Sequence, residues 1–559
     1  MPGSETLNVS ASSAPPEILC EVLAKRGIVG AEAVERFFNP SIAALSCPDA
    51  LTGVSDAVEL LLGEIGKIII FGDYDCDGIC ASAILTSVLE KLGKDVSPFL
   101  PERLSEGYGM STASVSRMFA EYPEVKLVVT VDNGVNSVEE VAALREKGIK
   151  VVVTDHHLPG AVLPECEALV NPKVSASPEL SDLCGAGVAF MVAAALVRKA
   201  RERGLYSGPN MGGPLLVLAG LATITDLMPL SAQNRIIVYE ALRRFHACAP
   251  LGIRELYARA AKTATAAPSS RDFAFMLGPR INASGRISSG MEALELILCD
   301  DREVVRECAR IVDLRNQERK EVEQRMVAAA LEKVVPGAPA QVIDLPDGHP
   351  GVAGIIASRV MERLASGSDG AAVPVCIVAG GKGSARAPAG VNIRDAMEFC
   401  AETLERFGGH AAAGGFSVKA GMIDAFRERL CGYCRNLAES SRGAEEDDLQ
   451  VDAWLSPGDL TVELARWVAK MEPFGEGNPE PVFGLRGVEL ADVKPMGLEG
   501  RHLSVAFRNR AIPRAVWWNH GDEVEKLRAD SVRRRDITFR ITLSDYGELH
   551  AELRLITIR

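Results

Sequence analysis

A chain of 559 residues is too long for one compact core, which predicts two to four domains. Its 47% apolar and 24% charged residues fit an ordinary globular protein and exclude collagen-like, fibrous or mostly disordered classes. The net charge of −14 argues against broad attraction to nucleic acid, so any phosphate contact has to be made in a local groove.

Met1 to Pro16 is Ser-rich, with neither a basic start nor an apolar stretch, so no secretory leader is expected. Pro15 to Ile65 reads as short helices. Lys67-Ile-Ile-Ile-Phe71 is a continuous β-type run ending in Gly-Asp, followed by an apolar helix from about Ile79 to Leu92. Leu127 to Val131 repeats the design and ends in Asp132-Asn133-Gly134, after which Ser137 and Glu140 have capping-box spacing. Val151 to Thr154 is a third such strand, ending in Asp155-His156-His157. Strands apolar throughout, alternating with helices, predict an α/β fold with a parallel sheet covered on both faces. Ligands of such sheets bind beyond the carboxyl ends of the strands, where all three acidic or His motifs fall.

Gly185 to Val197 is the longest uncharged apolar stretch, shorter than the ~20 residues of a membrane span, and reads as a buried helix. Ser231 to Val335 is mainly helical, with Met291 to Val335 expected as one long, solvated connecting helix. A second α/β unit follows from Gln341 to Ala438, and the polar, acidic run Glu439 to Asp448 reads as a linker. Short alternating segments, Ile537 to Leu543 and Leu549 to Ile558, predict a small β domain, a barrel. The expected division is thus 1–55 (helical segment), 56–230 (first α/β domain), 231–338 (helices), 339–440 (second α/β domain) and 450–559 (β domain).

Thirteen cysteines, an odd number scattered from Cys20 to Cys434, suit free thiols in a reducing compartment and a cytoplasmic protein. Cys431 and Cys434 form a CxxC-type pair with no second pair at zinc-finger spacing. A packed or solvent-facing helical pair is the expectation there.

The chemistry concentrates in Gly72-Asp73-Tyr74-Asp75-Cys76-Asp77-Gly78. Two carboxylates 4 Å apart repel by about 4 kcal/mol at an effective dielectric of 20, and a divalent cation reverses that sign. An EF-hand is excluded because a strand, not a helix, precedes the loop. Asp226 in Thr223-Ile-Thr-Asp-Leu-Met-Pro229 closes a long apolar helix. Separated segments therefore offer Asp75, Asp77, Asp132, His156 and Asp226 to one crevice. Carboxylate and imidazole ligands without Cys favour Mn²⁺ or Mg²⁺. The competing reading is a buried salt-bridge network. Cys76 and Cys80 beside the site are expected as ordinary packed thiols.

The set GDYDCDG, VDNG, TDHH and TDLMPL resembles the four motifs of the DHH phosphoesterases. Pro101 to Gly109 (PERLSEGYG), Gly278 to Arg286 (GPRINASGR), Gly381 to Arg386 (GKGSAR), Phe407 to His410 (FGGH) and Glu472 to Pro481 (EPFGEGNPEP) narrow the resemblance to the RecJ branch, from about Pro15 onward. The resemblance implies a parallel-sheet DHH domain, a long connecting helix, a DHH-associated α/β domain and an OB-like C-terminal barrel. It implies that Asp75, Asp77, Asp132, His156 and Asp226 hold two Mn²⁺ or Mg²⁺ ions. Asp73, Asp155 and His157 are close catalytic neighbours, as ligand, orienting partner or acid/base. The implied activity is two-metal hydrolysis of single-stranded DNA from the 5′ end to mononucleotides, in repair and recombination.

Arg is the residue for a terminal phosphate, because its planar fork makes two parallel bonds. Arg103, Arg280, Ser384 and Arg386 occupy positions resembling the family's 5′-phosphate pocket. Asn282 and Arg286 share the Arg280 motif, and Gly408, Gly409 and His410 add backbone and an imidazole. In the tail, Arg501, Arg508, Arg510, Arg514, Arg533 to Arg535 and Arg540 form a basic cluster with Trp517 and Trp518 as candidate stacking rings. Two departures stand out: Gly348-His349 where relatives carry Trp-His, and Ala385 in place of a glycine. The implied partners are single-stranded DNA with a 5′ end, a single-stranded-DNA-binding protein and a helicase. A monomer without membrane association is expected, and no further partner-binding domain after the barrel. A phosphodiesterase for very short oligonucleotides or cyclic dinucleotides, and a silent strand-binding scaffold, are the competing readings.

Overall fold

The computed structural model describes residues 14–107, 109–261, 267–366, 372–440, 451–530, 533–544 and 550–559. The Ser-rich start up to residue 13, Tyr108 and residues 441–448 of the expected linker lie outside the described residues. Glu439 belongs to a helix instead.

Two amphipathic helices, α1 (Glu17–Lys25) and α2 (Ala31–Phe38), come first, and α3 (Val54–Gly63) leads into the first sheet. Runs of Ile and Val form its strands, because β-branched residues pack well on a pleat buried on both faces. β1 (Lys67–Phe71), β2 (Val96–Phe99), β3 (Val125–Val131), β4 (Lys150–Thr154) and β5 (Ala168–Val170) run parallel in the order β2-β1-β3-β4-β5. The alternating pattern did not reveal β2 and β5, which are four and three residues long and half-polar or short of a full period. Helices α4 (Cys76–Lys91), α7 (Gly185–Glu202) and α8 (Gly212–Thr225) join α3 over one face, burying Ile68, Ile70, Leu127 and Val129. Helices α5 (Thr112–Glu121) and α6 (Val138–Glu146) cover the other, against Ile69, Phe71 and Val128. The capping box expected at Ser137 is not formed. Ser137 takes φ −91°, ψ 55° rather than an extended cap, and Glu139 and Glu140 face the helix dipole instead.

α9 (Ala232–Cys248), α10 (Leu251–Ala260), the single turn α11 (Ser270–Asp272), a π-helical turn (Phe273–Leu277) and α12 (Gly278–Ile287) follow. The expected continuous helix from Met291 is two helices, α13 (Met291–Leu298) and α14 (Arg302–Leu331). Asp301 breaks it by accepting from the amides of Glu303 (2.9 Å) and Val304 (3.1 Å), a stronger local preference than helix continuation. Nor is α14 solvated all round: Val305, Ala309, Val312, Met326 and Ala330 are buried.

The second α/β unit holds β6 (Gln341–Leu345), α15 (Ala353–Ala365), β7 (Val375–Ala379), β8 (Lys382–Arg386), α16 (Ile393–Phe399), β9 (Leu404–Gly409), β10 (Ala413–Val418) and α17 (Ile423–Ser440). Its sheet order is β6-β7-β8-β10-β9, parallel only between β6 and β7. The last unit comprises β11 (Ala453–Trp454), α18 (Val462–Lys470), β12 (Phe483–Val488), β13 (Leu490–Met496), β14 (His502–Phe507), β15 (Ala515–Trp517), α19 (Val524–Ala529), β16 (Arg535–Ser544) and β17 (His550–Ile558). Its seven strands pair in the order β11-β12-β16-β17-β15-β14-β13.

α1 and α2 pack on this last unit rather than on the sheet that follows them. Leu19, Val22, Leu23, Phe37 and Phe38 share a core with Trp467, Phe483 and Phe539. Arg235 of α9 fastens the joint: its buried guanidinium donates to the carbonyls of Phe37 (3.0 Å), Met471 (3.1 Å), Glu472 (3.0 Å) and Pro473 (3.4 Å). Among the described residues no helix is long and apolar enough to cross a membrane.

Candidate active site

β1, β3 and β4 are neighbours, so their acidic motifs meet at one sheet edge. Asp75 caps α4, its Oδ1 accepting from the amides of Asp77 (3.0 Å) and Gly78 (3.1 Å). Asp77, the second residue of α4, accepts from Gly185 N and Ala186 N at 2.7 Å each, so the start of α7 fixes its carboxylate. Gly185 has to be glycine, since a Cβ there would lie 2.5 Å from the Cβ of Asp132. Asp132 follows β3 directly at φ 61°, a left-handed conformation that Asp tolerates better than most residues. Asp226 is the C-cap of α8. His156 Nε2 lies at the middle, 3.1 Å from Asp132 Oδ1 and 3.6 Å from both Asp77 Oδ2 and Asp226 Oδ2. Asp155 is a hub: it accepts from the amides of Val135 (2.9 Å), His156 (2.7 Å) and His157 (3.1 Å) and pairs with His157 Nδ1 at 2.7 Å.

Three groups of ligand atoms lie mutually within 4.8 Å: Asp77–His156–Asp226, Asp73–Asp75–Asp132, and Asp132–His156–His157. The first two share no residue and the third links them, which defines two centres joined through Asp132 and His156. Both carboxylate oxygens of Asp73 are buried without a hydrogen bond of normal geometry, although the Tyr74 and Gly109 amides face them. Burial, then the neighbouring carboxylates, pushes Asp73 and Asp132 well up, Asp75 up and Asp226 up to about 9. Burial holds His156 down. For His157 burial acts downward but the Asp155 bond outweighs it, and the ring is pushed up to about 9. Carboxyls this crowded fit divalent cations, which turn each repulsion into attraction, and oxygen and imidazole donors without thiolate suit hard to borderline ions. The thiols of Cys80 and Cys184 are buried and pushed well up, so they are packing groups. Cys434 is buried and Cys431 donates to the Ala340 carbonyl at 3.5 Å, a packed pair in the second unit's core.

A cleft of about 300 Å³ separates the first α/β unit, through Tyr74, Arg103 and Gly107, from the second, through Gly351, Ser384, Gly408 and Gly415. Arg103 lies over the Tyr74 ring at 5.0 Å. Arg286 donates to the carbonyl of the cleft residue Gly351 at 3.4 Å. Burial, then Arg103, holds Arg286 down at about 10 and also lowers Arg386. These guanidiniums repel one another across a gap suited to an anion. The structure thus gathers Arg103, Arg286, Ser384, Arg386 and Gly408. Arg280 instead pairs with Asp313 of α14 (2.8 Å) and donates to the Met276 carbonyl (2.8 Å). Asn282 accepts from Cys76 N at 2.7 Å, holding the Asp75–Asp77 loop. Gly409, at φ 140°, lies against Ala413, and His410 is exposed, its amide bonded to the Ala413 carbonyl; neither lines the cleft. Lys382 and Arg406 also line it; Lys382 lies within the quoted GKGSAR motif and Arg406 adjoins FGGH, the one signal that pointed to them.

In the tail Trp517 is buried, donating to the Ile556 carbonyl at 3.3 Å, whereas Trp518 is 47% exposed. Acids neutralise much of the basic cluster: Arg508 and Arg534 meet Glu489, Arg533 and Arg535 meet Asp530, and Arg540 meets Glu480.

Family models described as "DHH family, N-terminal domain", "DHHA1 domain" and "RecJ OB domain" match residues 67–217, 337–436 and 451–555. Fold and site therefore define a DHH-type protein with its associated domain. The chain is 36% identical over 520 residues to "Single-stranded-DNA-specific exonuclease RecJ" of Dickeya dadantii, covering 88% of this chain and 86% of that protein. The Escherichia coli protein of the same description is 35% identical, with 84% and 83% covered. The crystal structure of RecJ from Thermus thermophilus in complex with Mn²⁺ superposes with a TM-score of 0.79 at 31% identity, over 98% of this chain and 78% of that one. The chain belongs to the RecJ family.

Proposed function

We propose that this protein is a single-stranded-DNA-specific exonuclease. In this reading it digests from the 5′ end to mononucleotides by two-metal phosphodiester hydrolysis and serves DNA repair and recombination. The observation that carries the reading is the pair of linked acid–imidazole centres beside a cationic cleft built from both α/β units. The relatives are described as single-stranded-DNA-specific exonucleases, and the Thermus thermophilus structures contain Mn²⁺ or Mg²⁺.

Asp75, Asp77, Asp132, His156 and Asp226 are assigned to two Mn²⁺ or Mg²⁺ ions, with Asp73 completing the Asp75–Asp132 group. When bound, such ions make water nucleophilic at neutral pH and neutralise the phosphate it attacks. Asp155 positions His157, whose ring meets the scissile phosphate and handles the proton of the leaving 3′-oxygen. Arg103, Arg286, Ser384 and Arg386 grip the terminal phosphate, with Gly408 leaving room for it. Arg280, Asn282, Gly409 and His410 support that grip: Arg280 ties α12 to α14, and Asn282 steadies the acidic loop. In this reading the cleft between the two α/β units admits a single strand and not a duplex end. We place the activity in the cytoplasm, as a monomer working with a single-stranded-DNA-binding protein and a helicase.

The test is Mn²⁺-dependent digestion of 5′-phosphorylated strands labelled separately at each end. A 5′ label released at once as mononucleotide, with a 3′ label persisting on a shortening ladder, is expected. The reverse order overturns the polarity. Consumption of two- to five-mers alone transfers the reading to oligonucleotide turnover, and binding without shortening transfers it to a scaffold.

A further inference from the structure

We propose that Leu227 contacts the substrate at the mouth of the active site, packing against the base of the nucleotide beside the scissile phosphate. The proposal rests on the exonuclease reading above. α8 ends with Met228 N bonded to the Thr223 carbonyl (3.1 Å) and Leu227 N to the Ile224 carbonyl (3.3 Å), the Schellman arrangement. The residue after the cap is then left-handed, and glycine is the usual choice because a side chain there is strained. Here it is a leucine at φ 55°. Asp and Asn offset such strain with local hydrogen bonds, which leucine cannot do.

Nor does packing compensate, since Leu227 is 72% exposed. In the free protein this side chain is unfavourable twice, through backbone strain and through bare apolar surface. Glycine would close the helix better. A strained, exposed residue retained at an active site points to a contact made only in the complex.

Its position indicates the ligand. Leu227 directly follows Asp226. Within the acidic cluster the side chains of Asp77 and Asp132 are 1% and 3% exposed, whereas Asp226 and His157 are 31% and 35% exposed. Asp75 is also partly exposed, on the side of the Arg103 cleft, so the cluster opens to solvent both there and past Asp226 and His157, and a strand running from the cleft out past Asp226 passes Leu227. An isobutyl group has nothing to offer a phosphate or a sugar hydroxyl. The face of a base is what it fits, and every base has one, so the contact is indifferent to sequence. It also requires an unstacked base, which a duplex does not present.

The test compares wild type with Leu227→Gly and Leu227→Ala on two 5′-phosphorylated strands, one intact and one abasic at its first five positions. Binding is read by anisotropy in Ca²⁺ and digestion in Mn²⁺. Leu227→Gly is expected to melt about 2–4 °C higher, as relieved strain implies. It should also bind and process the intact strand with roughly tenfold higher Kd and KM, yet match wild type on the abasic strand. Leu227→Ala should lose affinity similarly without the gain in melting temperature. Equal affinities of wild type and Leu227→Gly for the intact strand overturn the proposal, as does a lower melting temperature for Leu227→Gly. Should wild type bind but never shorten strands, the exonuclease reading fails, and the anisotropy comparison still decides the role of Leu227.

Discussion

At Asp132 three demands meet: a left-handed backbone, a tight fit against Gly185, and membership of two of the three ligand groups. Asn tolerates the same backbone and nearly the same shape, so Asp132→Asn removes the charge and little else. We expect its Mn²⁺-dependent hydrolysis to drop at least about a hundredfold while its melting temperature in chelator stays level or rises, because one member of a repelling set is gone. Arg103 belongs to the cleft itself. Arg103→Ala should lower the preference for 5′-phosphorylated over 5′-hydroxyl ends by roughly tenfold or more, the worth of a charge-assisted bond, in competition kinetics. The acidic and His motifs after β1, β3 and β4 were readable because each lies within a few residues of a strand end, and Asp226 because it closes a long apolar helix. Asn282 shows the limit. Its motif marked it as important, but its partner Cys76 is 206 positions away and no local pattern reveals that pairing.

Elements differ from the expected ones where short-range preference and tertiary contact compete. The polar Asp300-Asp301 pair divides α13 from α14 because a cap forms there; both helices pack on α10 and α12, but α13 also meets α4 while α14 runs on to α15. β2 and β5 exist because they extend a sheet nucleated by β1, β3 and β4, not because their own sequences demand it. The joint at Arg235 is invisible to periodicity, since a lone Arg on a helix normally reads as solvated. Arg235→Met leaves the carbonyls of Phe37, Met471, Glu472 and Pro473 without their donor, and urea denaturation should show a loss of at least about 3 kcal/mol. Glu472 in the same joint is pushed up to about 7 by burial, then by Asp272 and Glu480. The folded state thus holds this proton more tightly than the unfolded chain, and stability falls as pH climbs from the ordinary 4.5 through 7. Glu472→Gln should flatten that part of the melting-temperature profile and raise stability at pH 8.

Taken whole, the molecule reconciles a net charge of −14 with a phosphate-bearing substrate by concentrating guanidiniums at one cleft while pairing five of the eight arginines of the tail cluster with acids. Composition alone could not show this, because it averages over the surface. Saturating Mn²⁺ should stabilise the native state, by about 2.7 kcal/mol at a hundredfold excess over Kd, and a chelator should reverse it in thermal melts. The three-part α/β, α/β and β organisation followed from the sequence, since strand and helix runs are local. Which helices serve which core did not. Burial pairs are chosen by the completed fold, and α1 and α2 carry no mark of their distant destination.

That destination bears on synthesis. Leu19, Leu23 and Phe37 emerge from the ribosome hundreds of residues before Phe483 and Phe539, the side chains that will shelter them. Until then these greasy helices are exposed and open to chaperones or to aggregation, and the nascent chain closes like a clasp only when its final strands arrive. Deleting the terminal β domain therefore leaves an orphaned apolar surface at the opposite end of the polypeptide, and a soluble core fragment requires trimming from both ends together.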